Sequence, residues 1–287
     1  MTDVSIGGRL VGNHQPCFIV AEIGINHNGD IEIAKELIRV AKKAGVDAVK
    51  FQKRTPESCV PLEQRQVMRE TPWGYSTYME YREKVEFNMD QYKEIDEFCR
   101  ENNMPWFASV WDEHSVDFIE QFDVPCYKIA SASLTNDSLL NKIRTNRKPV
   151  ILSTGMSTLE EIDHAVEILG KEELILLHTC SVYPAYYKEL NLRIIPLLQK
   201  RYGLLVGYSG HETGLPSTVA AVALGACMVE RHITLDRSMW GSDQAASLGP
   251  SGIIQLVRDI RLIEVAFGEA EKKILPREIP IRLRLRK

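Results

Sequence analysis

Short apolar runs recur eight times along the chain, each followed by a stretch with helical periodicity, and no other feature limits the fold as strongly. The predicted strands cover residues 17–21, 48–52, 106–109, 126–129, 150–153, 174–178, 204–207 and 228–232. The helical patterns cover 31–43, 89–101, 113–121, 138–145, 159–169, 190–200, 215–224 and 251–267. Strands that alternate with helices pair in parallel, because each helix carries the chain back across the sheet. Eight such units predict an α/β fold, a (β/α)8 TIM barrel, for which about 250 residues is usual. With 287 residues the chain is long enough. A doubly wound sheet is the alternative, but no Gly-x-Gly-x-x-Gly follows the first strand.

Two segments depart from the bare repeat. Residues 4–11 predict a hairpin that caps the barrel bottom. Residues 53–87, after the second strand, form a connection too long to be incidental. Pro56, Pro61, Pro72 and Gly74 keep it from being one helix, and Trp73, Tyr75, Tyr78 and Tyr81 make it aromatic. It predicts a lid that contacts substrate or a neighbouring subunit, or one that only covers apolar barrel surface. Residues 1–287 read as one domain, with a core from about 15 to 268 and a tail over 269–287.

Composition excludes several function classes. A net charge of −4 and a pI near 6.0 give no basic field for nucleic acid. Only the tail, residues 281–287, is locally basic, and it reads as an edge strand, a partner contact or a frayed end. No run of about 20 apolar residues suggests a membrane span. The N-terminus carries Asp3 and no long apolar core, so no signal peptide is expected. Six cysteines lie scattered without a Cys-x-x-Cys pair, and Cys126, Cys180 and Cys227 fall in or beside strands. They read as small buried hydrophobes of a cytoplasmic protein rather than a disulfide framework.

Polar residues collect where the predicted strands end, which in a parallel barrel is one mouth. His211 and His232 follow the apolar runs of the last two strands. Two imidazoles on neighbouring strands could share one metal ion, with water or substrate completing its shell, or each could simply pack at a strand end. Glu22 sits in the run Ala21-Glu22-Ile23-Gly24, and a buried carboxylate is costly without a partner. It reads as a metal neighbour, a base, a sugar-hydroxyl acceptor or half of a structural salt bridge. Lys50 and Lys128 lie inside strands, where lysine is rare, and both call for an anion. Ser131, Ser153 and Ser209 add hydroxyls at further strand ends, and Gly155 precedes a helix expected near Ser157. Lysine point charges with small hydroxyls and backbone donors make a phosphate cradle. A Schiff-base aldolase built on Lys128 is the competing use of such a lysine. His178 reads equally as a ligand orienter or a core residue. Asp243, in the loop after the last strand, is a candidate metal or sugar ligand, since carboxylates suit Mn or Mg. Asp236 and Arg237 are candidates to pair with each other.

The motifs Glu-Ile-Gly-Ile-Asn-His-Asn-Gly (22–29), Val-Lys-Phe-Gln (49–52), Tyr-Lys-Ile-Ala-Ser (127–131), Leu-Ser-Thr-Gly-Met (152–156), His-Thr-Cys-Ser-Val-Tyr-Pro (178–184), Gly-Tyr-Ser-Gly-His-Glu (207–212) and Arg-His-Ile-Thr-Leu-Asp (231–236) resemble the sialic acid (N-acetylneuraminate) synthase family. They follow the family's order along nearly the whole chain. The resemblance implies a (β/α)8 barrel that condenses phosphoenolpyruvate with an aldose such as N-acetylmannosamine, giving a nonulosonic acid and phosphate. It implies a divalent cofactor, Mn2+ or Mg2+, held by His211 and His232. It implies phosphoenolpyruvate contacts from Lys50, Lys128, Ser131, Ser153 and Ser209, and sugar or metal-water roles for Glu22, Tyr183 and Asp243.

Departures from the family pattern fall on the acceptor side. Ser209-Gly210-His211-Glu212 stands for the usual Ser-Asp-His-Thr. Ser133 replaces an acidic residue, and Ser181, counted with the substrate-binding residues, replaces an asparagine. Many members carry a C-terminal antifreeze-like domain that supplies an arginine to the partner subunit's site. The expectation here is the catalytic barrel without that domain, with the tail arginines or the lid as substitutes. Family members are commonly dimers, and a homodimer remains compatible with this chain. A barrel without catalysis, serving as a partner subunit, is the remaining alternative. Intact Lys50, Lys128, His211 and His232 speak against it.

Overall fold

A computed structural model describes residues 1–286. In chain order the elements are β1 (Val4–Ile6), β2 (Arg9–Val11), β3 (Phe18–Gly24), α1 (Ile31–Ala44), β4 (Ala48–Lys53), α2 (Pro56–Cys59), β5 (Met68–Thr71), β6 (Gly74–Thr77), α3 (Tyr78–Val85), α4 (Met89–Glu101), β7 (Trp106–Val110), α5 (Glu113–Ile119), β8 (Tyr127–Ile129), α6 (Asp137–Arg144), β9 (Val150–Ser153), α7 (Leu159–Leu169), β10 (Leu174–Thr179), α8 (Ile194–Tyr202), β11 (Leu205–Gly210), α9 (Pro216–Ala223), β12 (Met228–His232), α10 (Pro250–Phe267) and α11 (Ile279–Leu285). Strands β3, β4 and β7 to β12 close in chain order into an eight-stranded parallel barrel. The (β/α)8 architecture is therefore the one the alternation predicts. Apart from a half-buried Gln52 on β4, every residue of the barrel strands is buried, as expected for strands covered by helices on one side and filled by side chains on the other.

The helices form where local chemistry starts and stops them. Asp30 caps α1 by accepting from the backbone of Glu32 and Ile33, and Gly45 ends it in the left-handed conformation that a side chain disfavours. Capping boxes start α3 (Thr77 with Glu80), α4 (Asn88 with Gln91) and α7 (Thr158 with Glu161). The buried face of α1, Ala34, Leu37, Ile38 and Ala41, follows the helical period and packs into the main core.

The residue 4–11 hairpin exists, as β1 and β2 in antiparallel pairing. Gly7 at its turn lies against Pro105 and Pro125, which precede β7 and β8, so the hairpin covers the bottom of the barrel. The long connection after β4 holds α2, the β5–β6 hairpin and α3, so it is not one helix. Tyr81 packs with Ile25 and Val85, and its ring meets Trp240 edge-on at 5.1 Å. The segment thus bridges the loops after β3 and β12, while Tyr75 remains 75% exposed. The tail is not an edge strand. Residues 279–285 form a short exposed helix, since Pro280 cannot donate to a strand ladder but fits a helix's first turn.

Strand β11 runs three residues beyond its predicted end. Gly207 was the expected stop, yet it lies inside the strand because the barrel is tight there. A Cβ on Gly207 would stand 2.5 Å from the Met228 carbonyl oxygen and 2.6 Å from Leu177 Cδ2. Replacing Gly207 by Ala is expected to destabilise the barrel by about 1–3 kcal/mol, the usual cost of overpacking. Thermal melting checks it, and an unchanged Tm would contradict the close approach.

Candidate active site

Side chains alternate along a strand, so residues two apart face the same way. At the C-terminal end of the barrel this parity brings Glu22 on β3, Lys50 and Gln52 on β4, Ser109 and Trp111 at β7, Lys128 on β8, Ser153 on β9, Thr179 on β10, Ser209 and His211 at β11, and Glu230 and His232 on β12 into one cavity. Ser131, Ser181 and Tyr183 line it from the loops. Of the predicted site residues only Asp243 stands outside this lining. Its carboxylate lies at the rim, 3.9 Å from His232 Nδ1.

Four charged side chains occupy the cavity floor, all nearly inaccessible to solvent. Lys50 Nζ lies 2.8 Å from Glu22 Oε2 and 3.7 Å from Glu230 Oε1, and donates to Ser109 Oγ at 2.7 Å. Lys128 Nζ donates to Ser153 Oγ at 2.6 Å and to the Ile129 carbonyl at 3.0 Å. Ser209 Oγ donates to Glu230 Oε1 at 3.2 Å, and Gln52 Nε2 to Glu22 Oε1 at 3.0 Å. Burial raises the Glu22 carboxyl despite Lys50. Burial alone would raise Glu230 as well, but Lys50 and Lys128 together hold it below the ordinary carboxylate value. Burial pushes Lys128 down to about 8, even with Glu230 opposing the shift.

The two imidazoles form a second group beside this floor, with ring centroids 5.5 Å apart. His211 Nδ1 bonds the Cys180 carbonyl at 2.7 Å, which makes that nitrogen the donor and leaves Nε2 with a lone pair. Tyr183 Oη lies 2.9 Å from Nε2, and its ring stacks on His211 at 4.0 Å. Burial, with His232 beside it, lowers His211 to about 3, so the ring is neutral. His232 Nδ1 is buried without a hydrogen-bond partner. A neutral imidazole held through one nitrogen and an orphaned ring nitrogen beside it suit a divalent cation. Among the described residues no three histidine, cysteine, aspartate or glutamate side chains converge on one point. Such a site would be a two-histidine site with an open remainder, to be filled by water and substrate oxygens.

Of the two readings left open for His178, the core one holds: Nε2 bonds the Leu190 carbonyl at 2.6 Å, and its neighbour Thr179 faces the cavity instead. Other expectations are corrected. Gly155 offers no free donor, since its N–H binds Ser131 Oγ at 3.0 Å. The following helix spans Leu159–Leu169, as its periodicity predicts, and its first turn is closed by Thr158 and Glu161. Asp236 and Arg237 do not pair. Asp236 accepts from Ser238, and Arg237 donates to the Ala245 carbonyl.

The residue reading passed over Glu230, Gln52, Ser109, Trp111 and Thr179. Glu230 was findable, because it lies two residues before His232 on the same strand and so shares its face. Gln52 bears the same relation to Lys50. Trp111 also carries Arg54, whose guanidinium lies 3.7 Å over the indole and donates to Gln52 Oε1 at 2.5 Å.

Comparison with known proteins gives a consistent picture. Residues 37–272 match the model of the NeuB family. The chain is 41% identical over 277 residues to N-acetylneuraminate-9-phosphate synthase of Mus musculus, covering 95% of this chain and 77% of that one. It is 35% identical over 285 residues to N,N'-diacetyllegionaminic acid synthase of Legionella pneumophila, covering 96% and 80%. Among solved structures, N-acetylneuraminic acid (sialic acid) synthetase from Leptospira borgpetersenii, crystallised with citrate, superposes with a TM-score of 0.88 at 30% identity, covering 100% of this chain and 98% of that one.

Proposed function

This chain belongs to the NeuB family and is an enzyme of the sugar acid synthase kind, and we propose that it condenses phosphoenolpyruvate with an aldose of the N-acetylmannosamine type to give a nonulosonic acid and inorganic phosphate. One observation carries this reading: two lysines, a set of serine hydroxyls and two imidazoles share one barrel mouth. Named relatives that make N-acetylneuraminate 9-phosphate and N,N'-diacetyllegionaminic acid support the product class.

The reaction joins C3 of the enolpyruvate to the aldehyde carbon of the open-chain sugar. Water adds at C2, the C–O bond to phosphate breaks, and the aldehyde oxygen takes up a proton. Lys50 and Lys128 hold the phosphate and carboxylate of phosphoenolpyruvate, with Ser131, Ser153 and Ser209 as hydroxyl donors. Glu230 lies 3.7 Å from the Lys50 head and feels the charge of both lysines, while Ser153 and the Ile129 carbonyl hold the Lys128 head in the free protein. Glu22, oriented by Gln52, faces the acceptor side as a hydrogen-bond partner for a sugar hydroxyl or an attacking water. Tyr183 stacks on His211 and presents its hydroxyl at the rim, with Ser181 and Asp243 nearby. His211 and His232 would hold the divalent ion, Mn2+ or Mg2+, which supplies Lewis-acid polarisation of the aldehyde.

The test is phosphate release from phosphoenolpyruvate across a panel of aldoses, with Mn2+, with Mg2+ and with EDTA. Metal-dependent release with one sugar, and a keto acid product by mass, are expected. No release from any aldose by a protein that binds neither metal nor phosphoenolpyruvate overturns the reading. A second reading draws on Lys128, whose low proton affinity also suits a Schiff base with pyruvate. A borohydride-trapped pyruvate adduct on Lys128 would favour it, and none is expected.

The same lysine makes the reaction pH-dependent. Lys128 binds the anion only while protonated, and the free protein loses that proton near pH 8. Above about pH 8, kcat/KM for phosphoenolpyruvate is expected to fall about tenfold per pH unit, since this parameter reports the free enzyme's ionisation. Lys128→Arg, which cannot lose its charge in this range, is expected to remove that inflection whatever its absolute rate. An inflection that persists in Lys128→Arg would assign it to another group.

A further inference from the structure

Behind the two imidazoles lies a buried ion pair that the reaction does not use directly. Glu212 is 0% exposed and Arg231 1%. Strand parity explains the placement: Glu230 and His232 face the cavity, so Arg231 between them faces away, toward the helices. Arg231 Nη1 lies 3.2 Å from Glu212 Oε1 and donates to Thr218 Oγ1 at 2.7 Å and the Gly214 carbonyl at 2.9 Å. Arg231 Nη2 donates to the Glu212 carbonyl at 2.5 Å. The Glu212 carboxylate also accepts from Tyr208, Ser217 and Thr218 at 2.8, 2.5 and 3.2 Å.

The position of this pair along the strands matters. The β11–β12 ladder ends at Gly210 opposite Arg231. Past that register no backbone pairing ties the chain bearing His211 to the chain bearing His232. His232 stays anchored on its other side, opposite Glu22. Glu212 directly follows His211, and Arg231 directly precedes His232, so the ion pair replaces the missing rung. Even Gly210 is fitted to it, since a Cβ there would stand 2.7 Å from Glu212 Oε2 and 3.0 Å from Arg231 Cδ.

We infer that the Glu212–Arg231 pair is a positioning clamp, which sets the spacing of His211 and His232 and thereby the affinity of this mouth for a divalent cation. The inference rests on the metal role proposed above for the two histidines. Glu212 and Arg231 touch no substrate and act through their neighbours. A purely structural ion pair would govern stability alone. A clamp governs cation affinity even in a protein that remains folded.

The experiment replaces both partners together, Glu212→Leu with Arg231→Met. Removing a buried pair as a unit is commonly tolerated, whereas removing one member strands a charge. Binding of Mn2+ alone is read by electron paramagnetic resonance of the free ion, binding of phosphoenolpyruvate without metal by calorimetry, and folding by thermal melting. The folded double variant is expected to bind Mn2+ about 10–100-fold more weakly, the usual effect of a residue that supports a ligand. Its affinity for phosphoenolpyruvate is expected to stay within about twofold, because the lysine cradle is a separate site. Wild-type Mn2+ affinity in the folded double variant overturns the clamp, and so does an equal loss of both ligands. Should the double variant not fold, Glu212→Gln keeps the acceptor's shape and loses its charge. Weaker Mn2+ binding in that variant supports the clamp, and unchanged binding overturns it. A wild-type protein that binds no Mn2+ overturns the metal role itself, a failure visible before any variant is made.

Discussion

Alanine at His211 is expected to lower metal-dependent phosphate release by about a thousandfold or more and to abolish Mn2+ binding together with it. Polarisation of a carbonyl by a bound cation supplies several kcal/mol of transition-state stabilisation, and about 4 kcal/mol corresponds to a factor of a thousand. On the proposed metal role, two protein ligands would leave little redundancy: with one imidazole gone, only His232 and the rim carboxylate of Asp243 would remain. Binding of phosphoenolpyruvate without metal should survive, since Lys50, Lys128 and their serines are untouched. A stability cost of about 1–3 kcal/mol should accompany the change, because the Cys180 carbonyl and the Tyr183 hydroxyl both lose their partner. Titration of free Mn2+ and a phosphate assay on the same preparation separate these effects. A His211→Ala protein with wild-type metal dependence and rate would remove the histidines from the mechanism.

The barrel was legible because its signals are local. Each strand and each helix after it carry their own pattern, and the caps at Asp30, Asn88 and Thr158 lie in sequence beside the helices they start. The mouth was legible for a related reason, since parallel strands deliver every C-terminal residue to the same end. What escaped reading depends on contacts between distant segments. Gly207 looks like a strand stop, and only the approach of Met228 and Leu177 makes glycine necessary within the strand. His178 and Thr179 are adjacent and both polar, and strand register alone decides which one faces the cavity. Glu212 appeared as a departure from a motif, while its partner Arg231, 19 residues on, passed without comment. The lysines were read as free cations awaiting an anion. In the fold, Lys50 is already paired with Glu22, so the structural reading of Glu22 is met and does not exclude the functional one.

That overlap can be separated by a substitution at Lys50. Lys50→Met is expected to cost about 3–5 kcal/mol of stability, the range for removing one member of a buried ion pair. The cost arises because Glu22 and Glu230, both nearly inaccessible to solvent, would then share the floor with Lys128 as its one remaining lysine. Adding Glu22→Gln removes the stranded charge while keeping a side chain that bonds Gln52, so most of that stability should return. Phosphoenolpyruvate binding should not return with it. On the role proposed for Lys50, the double variant still lacks one of the two cations that would hold phosphoenolpyruvate, and one lysine would be left to balance both phosphate and carboxylate. Denaturant melts and calorimetric binding of phosphoenolpyruvate to wild type, Lys50→Met and the double variant make the comparison. Recovery of stability without recovery of phosphoenolpyruvate binding assigns Lys50 to the substrate. Recovery of both would make the Lys50–Glu22 pair a structural strut and leave Lys128 with the serines as the whole anion site.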